Sequence, residues 1–79
     1  MKISKILVEL QVMGCQVLSS DPEIEGFQDV EFRISQTTDL RALIKMMRQY
    51  GFFNIRIDTK DEDVFIATRF VYPNDLNFE

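Results

Sequence analysis

Between residues 39 and 50, Leu40, Leu43, Ile44 and Met47 recur at three- and four-residue intervals, which places them on one side of a 3.6-residue turn. The spacing predicts an amphipathic helix. Thr38, or Thr37 before it, is placed to accept from the free amides of the first turn, and Asp39 suits the positive end of the helix dipole. Gly51 stops the run: in the left-handed conformation it follows the cap, and Phe52 then packs back on Met47. Met46 and Tyr50 widen the apolar side and read as core.

On both flanks of this helix the period falls to two. Ile6, Val8, Leu10 and Val12 alternate with Leu7, Glu9, Gln11 and Met13, as in a strand with one buried face. A helical template also matches Ile3, Ile6, Leu7, Leu10, Met13, Val17 and Leu18, so residues 3–18 carry two readings. It leaves Val8 and Val12 on the wrong side, and the β-branched content favours the strand. Alternation breaks at Gly14 and Cys15, where a bulge would return Cys15 and Val17 to the inner face. Residues 19–26, SSDPEIEG, form the returning loop.

Residues 27–35 predict a second strand with Val30, Phe32 and Ile34 inward and Asp29, Glu31 and Arg33 outward. After the helix, Phe53, Ile55 and Ile57 alternate with Asn54, Arg56 and Asp58. A polar connection at 59–63 leads to a last strand at 64–72, ended by Pro73, with Val64, Ile66, Phe70 and Tyr72 read as inward. The order ββαββ predicts an α+β fold with one helix packed on a four-stranded, mainly antiparallel sheet. It forms a single small domain over 1–79, with 73–79 a short tail whose Leu76 and Phe78 are free to dock on the body or on a neighbour.

Composition narrows the function classes. A chain of 79 residues buries roughly 60 to 65% of its unfolded surface, so a partner subunit would add useful stability. The apolar share of 46% and the 28% of charged residues fit a soluble globular chain. With one cysteine, an internal disulfide or a cysteine-based zinc site is excluded, and Cys15 reads as a small buried apolar residue. Glu9 and Gln11 interrupt the apolar stretch that a signal peptide would need, and no run approaches the ~20 residues of a membrane span. The expected location is therefore cytoplasmic.

Histidine is absent, which removes the commonest general base and the commonest metal ligand together. No enzyme activity, cofactor or metal is expected. Asp58, Asp61, Glu62 and Asp63 crowd one hairpin end, but their spacing does not match the calcium loop and no glycine supplies its turn. A solvated tip is the expected role. The aromatic strands lack the glycine and basic signature of single-stranded RNA binders, and a net charge of -4 argues against direct nucleic-acid contact.

Two surfaces remain as candidates for partner binding. Arg41, Lys45 and Arg48 lie within about 60° of one another on the helix, on a shoulder of its apolar face. With Asp39 they give the helix a local +2, so the rest of the chain sums to -6. Their heads either reach acids on the strands or form a docking stripe. The second candidate is the outer sheet face, where Leu7, Met13, Phe65 and Val71 are expected among Glu9, Glu31, Arg56 and Arg69.

The functional expectation is a non-enzymatic protein-protein interaction or regulatory module that binds another protein and forms a homodimer through its sheet. A sharper form is a small acidic inhibitor, of phage anti-defence or immunity type, that covers a basic nucleic-acid-binding site in a host cytoplasm. The alternative from another class is a dimeric domain that senses a small metabolite between its subunits.

Overall fold

Ile6 and Leu10, one helical turn apart, are completely buried, whereas Val8 and Val12 face solvent, Val12 at 82% exposure. A strand would bury all four alike. In the computed structural model, which describes residues 3–73, the first element is accordingly a helix, α1 (Ile3–Val12), and the expected strand over 6–12 is corrected. The helical stripe wins over β-branching because it brings Ile6 and Leu10 to the core in one turn.

Gly14 is likewise the stop of a helix rather than a bulge. It has φ +86°, its N–H donates to the Gln11 carbonyl at 3.0 Å, and the Cys15 N–H donates to the Leu10 carbonyl at 2.9 Å. These two bonds are the pair that closes a Schellman ending, and Cys15 is buried in the same core cluster as Leu10.

The chain then runs β1 (Gln16–Ser20), β2 (Gly26–Arg33), α2 (Leu40–Gln49), β3 (Phe52–Ile57) and β4 (Val64–Val71). The ββαββ order and the α+β class hold, with α1 added in front. The sheet is antiparallel throughout, in the order β1-β2-β4-β3. Its two hairpins are joined by pairing of β2 with β4 from Gly26 opposite Val71 to Arg33 opposite Val64.

Helix α2 keeps its expected extent, but Asp39 caps it instead of Thr38. The Asp39 carboxylate accepts from the N–H groups of Arg41 and Ala42 at 3.1 and 3.2 Å. The Thr38 hydroxyl is used elsewhere: it accepts from the Ser35 N–H and donates to the Met13 carbonyl beyond the end of α1. At the other end Gly51 has φ +90° and donates to the Arg48 carbonyl. Phe52 and Met47 are both buried in the core.

Both helices cover one face of the sheet. Ile6, Leu10, Leu43 and Met47 meet Val30, Phe32, Phe52, Phe65 and Ala67 there. Met46 and Tyr50 pack partly buried against this cluster, as expected of a widened core face.

The inward phase of β2 is as read from its alternation, but that of β4 is inverted. Directly paired residues share a face, and the register sets Val30 opposite Ala67, Phe32 opposite Phe65 and Gln28 opposite Arg69. Phe65 and Val71 are therefore buried, while Ile66, Phe70 and Tyr72 turn to the other side.

Arg69 enters the interior with this phase. Its guanidinium donates to Gln28 Oε1 at 2.7 Å, to Glu23 Oε1 at 3.2 Å and to the Tyr50 carbonyl at 3.4 Å, and lies 5.5 Å from the Phe52 ring centre. Glu23 also accepts from the Ile3 N–H, placing a negative charge at the start of α1. A buried charge is tolerated because its donors find acceptors. The tail residues Leu76 and Phe78 lie outside the described residues.

Candidate functional site

Helix α2 turns Leu43 and Met47 into the core and leaves Arg41, Lys45 and Arg48 on its exposed side. These three cations stand together as their spacing implies. With Ile44 and Gln49 they line an open depression of about 540 Å³. Among the described residues the ion pairs are Arg33 with Asp61 and Arg69 with Glu23, so none of the three helix cations meets a carboxylate of the sheet.

The arrangement costs the helix something. Arg41 and Lys45 are four residues apart, Lys45 and Arg48 three, and like charges at these spacings disfavour a helix by about 0.2–0.5 kcal/mol each. No acid inside α2 offsets this.

The second expected set does not form a surface. Phe65 and Val71 are buried in the interior. Leu7, on α1, and Met13, just beyond it, are half-buried and pack against the core from the helix side. The inverted phase of β4 carries Phe65 and Val71 inward, and the helical form of α1 turns Leu7 and Met13 towards the core.

The outer face belongs to other residues. Phe27 of β2 and Phe70 of β4 are direct cross-strand partners with ring centres 5.5 Å apart and an interplanar angle of 83°. Phe53 of β3 packs edge-on to Phe27 at 6.2 Å, and Tyr72 packs on Phe70 at 4.7 Å. A bulge in β3, between the pairing of Phe52 with Arg69 and of Asn54 with Thr68, sets Phe52 inward and leaves Phe53 exposed.

Phe27, Phe53 and Tyr72 are 68%, 63% and 61% exposed and Phe70 36%. Taking about 200 Å² per aromatic side chain, this cluster shows roughly 400 to 500 Å² to solvent. The visible signal was Gln28: with Val30 and Phe32 inward, alternation also sends Gln28 inward and Phe27 out.

Beside the aromatics the face is polar. Arg56 donates to the Thr68 hydroxyl, which in turn donates to Asp29. Glu31 and Ile66 form the next cross-strand pair, with Arg56 opposite Ile66 on its other side. An apolar cluster is thus bordered by charges of both signs.

The titratable groups that depart from their ordinary values have structural causes. Burial raises the Cys15 thiol, and the neighbouring Thr38 hydroxyl acts the other way. Tyr50 is raised by hydrogen bonding to the neighbouring Glu9, then by burial and by the Glu9 charge. Asp61 is lowered first by the Asp63 N–H and then by Arg33. The hairpin acids Asp58 and Asp61 accept from the Lys60 and Asp63 N–H groups, so they shape the turn they sit in. Among the described residues no three metal-ligating side chains group together, and no helix is long and apolar enough to cross a membrane.

Compared with known proteins, the chain matches no family model, no curated protein and no solved structure.

Proposed function

We propose that this chain is a non-catalytic protein-interaction module that self-associates through the outer face of its sheet. The observation that carries the reading is the contiguous cluster of Phe27, Phe53, Phe70 and Tyr72 on a face that neither described helix covers. Patches of this size on a monomer often mark an interaction site. A stable interface needs about 800 Å² from each partner, and the aromatics supply roughly half of that as an apolar centre. The polar remainder comes from Asp29, Glu31, Arg56 and Thr68 around them.

A second copy is the occupant that fits. In a two-fold interface the same patch meets itself, so a face carrying Asp29 and Glu31 together with Arg56 can complement its own charges. A wholly acidic or wholly basic face would repel its copy. Sedimentation velocity over a concentration series tests the reading: the chain is expected to sediment as a dimer. The double variant Phe27→Ser/Phe53→Ser, which changes two solvent-facing rings, is expected to sediment as a monomer with unchanged circular dichroism. A wild-type chain that stays monomeric at the highest concentrations refutes it.

A further inference from the structure

The depression on α2 lies on the opposite side of the molecule from the aromatic face, because α2 packs on the inner side of the sheet. We infer that it is a second binding site, one that takes an acidic segment of a partner protein.

The recognition chemistry follows from the lining. Arg41, Lys45 and Arg48 span about 10 Å along the helix at 1.5 Å per residue, so they meet three carboxylates spaced one turn apart on a facing helix. Ile44 sits among them, half-buried, and offers an apolar contact between the charges. Arginine at two of the three positions favours planar, two-pronged pairing with carboxylates. The cations are available for this role, since no carboxylate among the described residues holds them.

A phosphate backbone would also meet the three charges, but a long polyanion would be carried past the rest of the chain. That remainder sums to -6, and Asp58, Glu62 and Asp63 crowd the β3–β4 turn. A short acidic segment lying along this face of α2 escapes this repulsion. The charge distribution therefore favours a short acidic peptide over a long nucleic acid. Its occupancy does not depend on self-association, and each can fail alone.

The test uses the full chain and a fluorescein-labelled helical peptide with glutamates at i, i+4 and i+7 around one leucine. A scrambled peptide of equal composition and a single-stranded DNA long enough to run well beyond α2 serve as the comparisons. Fluorescence anisotropy at low salt is expected to show saturable binding of the patterned peptide, weaker binding of the scrambled one and none of the DNA. Arg41→Glu/Arg48→Glu is expected to lower the affinity about tenfold or more, with its sedimentation unchanged. The neutral variant Arg41→Gln/Arg48→Gln should fall between, and it guards against a fold lost to charge reversal. Peptide binding that is absent, that is indifferent to both variants, or that is outcompeted by the DNA overturns the proposal.

Discussion

Leu10 and Val12 are two residues apart, and the correction of the first element turns on how differently they behave. In a strand both would face the core and truncation of either would leave a comparable hole. In α1 Leu10 is fully buried and Val12 is 82% exposed. Leu10→Ala removes a buried isobutyl group and is expected to cost about 2–5 kcal/mol, the range for truncating a buried leucine. Val12→Ala removes little contact and substitutes a better helix former, so its effect should stay within about 0.5 kcal/mol. For a domain of this size each kcal/mol moves the melting temperature by roughly 4–8 °C. Leu10→Ala should therefore lower Tm by at least about 8 °C and Val12→Ala by less than about 4 °C. Ile6→Val, expected to cost about 0.5–1.5 kcal/mol, keeps the comparison measurable if Leu10→Ala leaves too little folded protein. Thermal and urea unfolding followed by far-UV circular dichroism measure all three. Similar losses at positions 10 and 12 would refute the helix.

Two further outcomes concern the helix ends and the pH range. Gly14→Ala and Gly51→Ala both force an alanine into a left-handed conformation and should cost about 1–2 kcal/mol in urea titrations. Gly14→Ala should be the worse, because its new Cβ would sit 3.0 Å from the Ser35 hydroxyl whereas that of Gly51 meets open space. The raised Cys15 and Tyr50 groups are kept neutral by the fold, so their contribution is complete below the unfolded values of about 9 and 10 and is lost as pH rises through the higher folded values. Stability should thus be level near neutrality and fall on the alkaline side. Tyr50→Phe should flatten the upper part of that fall, and an unchanged alkaline limb would contradict the role of Tyr50.

The legible parts of the fold were those where one local pattern had no competitor. Helix α2 combined a stripe at 3.6 spacing, an acid at its start and Gly51 followed by Phe52 at its end, and all three cues agreed. In β2 the single-residue alternation of Val30 and Phe32 with charged residues left one phase open. Helix α1 was harder because apolar residues occupy both parities of 6–13, so periods of two and 3.6 both fit. Yet Gly14 before Cys15 repeats the punctuation of Gly51 before Phe52: a left-handed glycine followed by an apolar residue that returns to the core. Read as a helix stop, Gly14 would have decided the case.

Strand β4 shows why the candidate surface was the last thing to become visible. Val64, Ile66, Phe70 and Tyr72 on one parity are as apolar as Phe65, Ala67 and Val71 on the other, and the only charged residue, Arg69, argues from composition for putting the second set outside. The deciding constraint is not in β4 but in its neighbour. Register pairs Arg69 with Gln28, which β2 already commits to the interior beside Val30 and Phe32. An unpartnered buried amide would be costly, and the Arg69 guanidinium satisfies Gln28 Oε1 while Glu23 and the Tyr50 carbonyl each accept from another of its N–H groups. One interior polar cluster therefore fixes the phase of β4, and the same phase turns Phe70 outward to meet Phe27 and Tyr72 outward to pack on Phe70. The interior arginine and the exposed aromatic face are two sides of a single register. A substitution that frees Arg69 from the interior should disturb the outer cluster with it.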